Sequence, residues 1–169
     1  MASKAVNALT AILVLLLAVA GIVYLRTGPC VGTPSDYDRT NVTLEDRNGS
    51  ALATVAVRVA DTNTKRCVGL SNTESLADGE GMLFVHENAD THAYVMRDMA
   101  FPLDIVFVAG NGTVTEVHHA ATEPGESGDD LTRYRGTGKY VLEVPRGYAN
   151  ATGLDVGDRV VVPSSVTED

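Results

Sequence analysis

The stretch Leu103-Asp-Ile-Val-Phe-Val108 constrains the fold more than any other. Five of its six side chains are large and apolar, so it reads as a strand buried on both faces. Asp104 sits inside it. A carboxylate there is costly unless a partner or solvent meets it. The run before it, Tyr94-Val-Met-Arg-Asp-Met99, adds Arg97 and Asp98 between apolar residues. Whatever the chain builds must supply this segment with neighbours on two sides.

The neighbours are short strands. Val42 and Leu44 alternate with polar residues, Asn48-Gly49 supplies a turn, and Val55, Val57 and Val59 share one face of a return arm. Met82 to His86 is a short apolar run, Glu87 to Thr91 reads as a turn, and Ala93 to Arg97 as a further strand. Gly110-Asn-Gly112 predicts a hairpin from Leu103–Val108 into Thr113–His119. Val114 and Val117 are out of a period of two, so a bulge is expected there. Lys139 to Val144 and Gly157 to Val162 complete the set. Ser71, with Glu74 three residues on, predicts a short helix, and Pro145 to Gly153 allows one helical turn ended by glycine. The expected class is mainly β, with α+β the alternative. It is a compact, antiparallel-rich barrel or sandwich of about seven or eight short strands with one or two short helices.

The N-terminus is different. Ala5 to Leu25 carries no charge, and at about 1.5 Å per residue it spans roughly the 30 Å of a bilayer core. Two readings compete. Ala18-Val-Ala20 fits a signal-peptide cleavage site, but the apolar run continues to Leu25, which favours an uncleaved transmembrane helix. The expected division is an anchor at 1–26, a Gly/Pro-containing tether at 27–39, a globular domain at 40–163 and a polar tail at 164–169.

Lys4 and Arg26 flank the anchor almost evenly, so charge alone does not orient it. Sequons do. Asn41, Asn48, Asn111 and Asn150 each begin an Asn-x-Ser/Thr triplet, which favours a membrane protein with its domain outside the cytoplasm. All 22 acidic residues lie beyond Arg26 and the net charge is −9. Lysine is confined to Lys4, Lys65 and Lys139. This composition looks like a halophile surface, the alternative being a merely acidic soluble domain, and it argues against nucleic acid or an anionic membrane surface as partner. Cys30 and Cys67 are the only cysteines. Outside the cell they form a candidate disulfide; the alternative is two unrelated thiols.

Several fragments then occur in one order: Val57-Arg-Val-Ala-Asp-Thr62, Arg66-Cys-Val-Gly-Leu70, Gly81-Met-Leu-Phe84, Met96 with Pro102-Leu-Asp-Ile105, Tyr140-Val-Leu-Glu143 and Gly157-Asp158. Together they resemble the family catalogued as domain of unknown function 192, over about Val55 to Val162. The resemblance implies a compact, mostly β fold with short helical segments and no established activity. The family's usual Phe-Trp-Met-Lys-Asn-Thr run stands here as Tyr94-Val-Met-Arg-Asp-Met99. A pocket lined by that run would be reshaped and more charged.

The candidate binding residues are Arg66, Tyr94, Met96, Arg97, Asp98, Asp104 and Glu143. Arginine forks among them suit a carboxylate or sugar acid. The competing reading is an internal ion-pair network, with Asp104 held by an arginine. His86, His92, His118 and His119 lack metal-site spacing, since adjacent strand residues face opposite ways. No nucleophile elbow, phosphate loop or dinucleotide fingerprint is present, so no catalytic residue and no cofactor are expected. The leading expectation is a membrane-anchored extracytoplasmic domain that binds a small polar ligand, a glycan or an envelope protein. The alternatives are a cell-envelope hydrolase using the Arg66/Asp98/Asp104 region, or an assembly factor for a membrane complex.

Overall fold

The computed structural model describes residues 36–167. The expected anchor, most of the tether, Cys30 and the last two residues lie outside them. Among the described residues no helix is long and apolar enough to cross a membrane.

Seven strands form one curled sheet, a half-barrel, in the order β5-β4-β6-β3-β2-β1-β7. In chain order these are β1 (Asp38–Glu45), β2 (Ala51–Ala60), β3 (Glu80–Tyr94), β4 (Leu103–Val108), β5 (Val114–Ala120), β6 (Tyr134–Pro145) and β7 (Arg159–Val161). Among the described residues three short α-helices accompany them: α1 (Asn63–Val68), α2 (Tyr148–Thr152) and α3 (Ser164–Thr167). The expected mainly β class and strand number are found. Every sheet pairing is antiparallel except β2 with β3, which α1 connects as a crossover.

β4 is buried along its whole length. It lies between β5 and β6, and each sheet face carries its own apolar cluster. Val106 and Val108 enter the first cluster with Val42, Val57, Leu83 and Leu142. Leu103, Ile105 and Phe107 enter the second with Met82, Phe84 and Val141. A strand covered on both faces has no reason to alternate, which explains the unbroken apolar run.

Both expected hairpins form, at Asn48-Gly49 and at 109–113. The expected bulge is found as well: Phe107 opposes Glu116 while Val108 opposes Val114, so Thr115 is the extra residue. Its hydroxyl bonds to the carbonyls of Phe107 and Thr137.

Three expectations are corrected. Residues 80–94 are one long strand, not two strands and a turn. Both halves pair with β6, and the register jumps from Val85↔Tyr140 to Asp90↔Gly138, so the chain bows outward without reversing. The first helix is at Asn63–Val68, where Thr62 caps it by accepting from Lys65 N, while residues 69–72 are turn and 73–77 irregular. The polar tail closes as α3.

Gly136 is a packing requirement. A Cβ at that position would lie 2.4 Å from the Phe107 ring, so only a bare backbone lets this ring settle on β6.

Candidate functional site

Helix α1 and the segment after it stand over the second face of the sheet. Arg66 fixes α1 to β3: its guanidinium donates to Asp61 O at 2.6 Å, Val85 O at 2.7 Å and Asn63 Oδ1 at 2.6 Å. Arg97 donates to Cys67 O, and Ser71 Oγ donates back to Arg97 O at 2.9 Å. Residues 66–71 and 94–97 thus brace each other. Between them and the sheet lies a cleft of about 320 Å³.

Glu143 forms part of its floor. It is opposite Met82 on β3 and Ile105 on β4, so its side chain shares the face of the second apolar cluster. Only 6% of the residue is exposed. Among the described residues its carboxyl has neither a hydrogen bond nor an ion pair. Burial pushes the Glu143 carboxyl up to about 8. At neutral pH it is therefore a protonated acid, able to donate and to accept.

The walls are aromatic. Tyr94 packs edge-on against Phe84 and Phe107, with ring centroids 5.0 Å and 5.8 Å away. Its hydroxyl lies 2.9 Å from His86 Nε2. Burial raises the Tyr94 hydroxyl, and the neighbouring Glu143 adds to the effect. The His86 ring stacks on His92 at 3.5 Å. Burial, then His92 and Arg66, holds the His86 imidazole down to about 4, so it is neutral at pH 7. His92 Nε2 is buried and has no hydrogen-bond partner among the described residues. Native structures rarely leave such atoms unpaired, and here His92 and Glu143 face one cleft.

The sequence-predicted residues separate into two groups. Arg66, Tyr94, Arg97 and Glu143 line the cleft. The others do not. Met96 is core, 2% exposed. Asp98 is exposed, in a turn with φ 56°. Asp104 lies on the opposite face of β4 from Ile105. Its carboxylate takes Gly147 N and Ala149 N, each at 2.9 Å, and His119 Nδ1 at 2.6 Å. The expected arginine partner is thus replaced by a histidine and the start of α2. Arg66, Asp98 and Asp104 do not form one site, as the hydrolase alternative required.

Sequence reasoning missed His86 and His92 as cleft residues. Their rings stack because the strand runs on past the irregularity between Val85 and Asp90, and the expected turn between them hid it. Among the described residues no group of three His, Cys, Asp or Glu side chains is placed to hold a metal ion. Cys67 also borders the cleft and is disulfide-bonded, so it is no free nucleophile. The four sequon asparagines are all exposed.

A family model, DUF192, described as "Uncharacterized ACR", matches residues 43–162. A crystal structure of a protein of unknown function from Novosphingobium aromaticivorans is similar at a TM-score of 0.66 and 28% identity, covering 80% of this chain and 94% of that one. A second, from Sinorhizobium meliloti and described as a candidate transcription regulator, is similar at 0.67 and 27%, covering 76% and 96%. No curated protein is detectably similar in sequence.

Proposed function

The chain belongs to the DUF192 family, whose description names no activity, and from that premise we propose that it is a binding domain whose cleft under α1 takes up a small polar ligand. The observation that carries this is Glu143. Its carboxyl opens into the cleft with no protein partner among the described residues, beside the fully buried and unpartnered His92 Nε2, so a ligand that hydrogen-bonds there supplies what the fold leaves out. A sealed structural network would have paired it, as the fold pairs Asp104.

The domain acts outside the cytoplasm, tethered by residues 5–25. The uncharged apolar stretch, the acidic exterior and four exposed sequon asparagines support this. A DNA-binding role fits poorly with a net charge of −9, because phosphates demand cationic surface.

Thermal shift on the full-length protein in detergent at high salt tests the cleft. The panel is simple sugars, amino acids and small carboxylic acids, run on wild type and on Val68→Trp, which crowds the cleft from α1. At least one compound should raise the Tm of wild type and act less on the variant. No response from the whole panel, or equal responses in both proteins, would sink the reading. Protease added to intact cells should degrade the domain; full protection would place it inside.

A further inference from the structure

The cleft has an electrostatic character that narrows its ligand. The three hydrogen bonds of Arg66 all go to uncharged oxygens, two carbonyls and an amide, and no carboxylate pairs with it among the described residues. Among the described residues Glu143 is the only carboxyl in the lining. Burial keeps it protonated at neutral pH. Tyr94 and His86 are neutral there too. Within a chain of net charge −9, the described lining carries two arginines, Arg66 and Arg97, and no fixed anion. Its other walls are apolar, among them Phe84, Leu70 and Leu103.

We propose, building on the binding role above, that the cleft holds a small monocarboxylate with a compact apolar body. Its carboxylate accepts the Glu143 hydroxyl in a charge-assisted hydrogen bond, in the field of Arg66. The body lies against Phe84, Leu70 and Leu103. An ammonium ligand fits poorly, because Glu143 would have to ionise against its burial and the cation would face Arg66. A neutral amide would satisfy Glu143 but leave Arg66 uncompensated.

Protonation is coupled to this binding. The groups that share the cleft with Glu143 are Arg66 from α1, His86, His92 and Tyr94 from β3, and Arg97 from the following segment. β4 presents Leu103, Ile105 and Phe107 on that face, none of them titratable, with Asp104 on the other. Above pH 7 the group whose loss of a proton opposes an anion is Glu143. The carboxylate binds the protonated form, so affinity holds below about pH 8 and falls above it.

Calorimetry on the full-length protein in detergent, with benzoate, benzamide and benzylamine, tests this. The three share one shape and differ in charge. Benzoate should bind at least about tenfold more tightly than either analogue at pH 7, and lose about tenfold per pH unit above 8. Glu143→Gln keeps a neutral donor but cannot ionise, so whatever its affinity at pH 7, the decline above pH 8 should disappear. Benzylamine or benzamide binding as tightly as benzoate, no benzoate binding, or the same pH decline in Glu143→Gln each overturn the proposal. The wild-type probe series stands even if the variant fails to fold. If the probes fail while another panel compound shifts wild type and not Val68→Trp, the carboxylate class is wrong and the cleft reading survives.

Discussion

His119 Nδ1 lies 2.6 Å from Asp104 Oδ1, and the other oxygen of that carboxylate receives the amides of Gly147 and Ala149. One fully buried acid thus joins β4, β5 and the first turn of α2. Three donors converge on it, and it faces away from the cleft.

Asp104→Ala should therefore destabilise the fold by about 2–4 kcal/mol, since it strands two amides and an imidazole. Urea unfolding followed by circular dichroism would measure it. Compounds that stabilise wild type should still raise the variant's Tm. Loss of their effect at temperatures where the variant is folded would return Asp104 to the binding site.

Glu143 predicts a pH dependence of stability. Its carboxyl titrates near 8 when folded, above the ordinary 4.5, so the native state holds a proton that the unfolded chain has released. Stability on this account is complete below pH 4.5 and is lost as pH rises toward 8. Glu143→Gln carries no such titration. Urea unfolding at pH 4.5, 6.5 and 8.5 should show the variant gaining on wild type at each step. A constant difference across the series would contradict the raised value.

Gly136→Ala should cost about 1–3 kcal/mol through overpacking against Phe107. Phe107→Leu should relieve part of that cost, so a double-mutant cycle should show favourable coupling. Additive losses would mean that the backbone yields instead of the ring.

Cys67 is disulfide-bonded, and Cys30 is the one other cysteine in the sequence. A thiol assay in denaturant without reductant should find none, and two after reduction. Two reactive thiols in the first assay would exclude the disulfide.

Much of the sheet was legible because its signals are local. Asn48-Gly49 and Gly110-Asn-Gly112 specify tight turns by backbone geometry, and Gly153, at φ 76°, ends α2 where a glycine was expected to. What escaped was set by tertiary contacts. Asn63–Val68 is a polar run with no buried residue, and it is helical because Thr62 caps it and Arg66 bonds to β3. The parallel pairing of β2 and β3 leaves no mark in either strand's pattern.

The candidate site shows the same division. Arg66, Tyr94, Arg97 and Glu143 stood out as charged or polar groups inside apolar runs, and all four reach the cleft. Asp104 stood out for the same reason and does not. Its face follows from its being adjacent to Ile105, but which face bears the cleft depends on where α1 packs.

The two outer strands of the sheet meet at one end only. Thr113 bridges Arg159, Val114 N donates to Asp158 O, and Val160 N donates to Gly112 O. Beyond that junction β5 has no strand partner on its outer edge among the described residues. It carries the Thr115 bulge, Glu116, His118 and His119, while β7 is three residues long. A kinked, charged edge and a very short one are poor templates for another chain's strand. This sheet is therefore built to resist edge-to-edge aggregation, even where molar salt screens the charge repulsion that would otherwise keep copies apart.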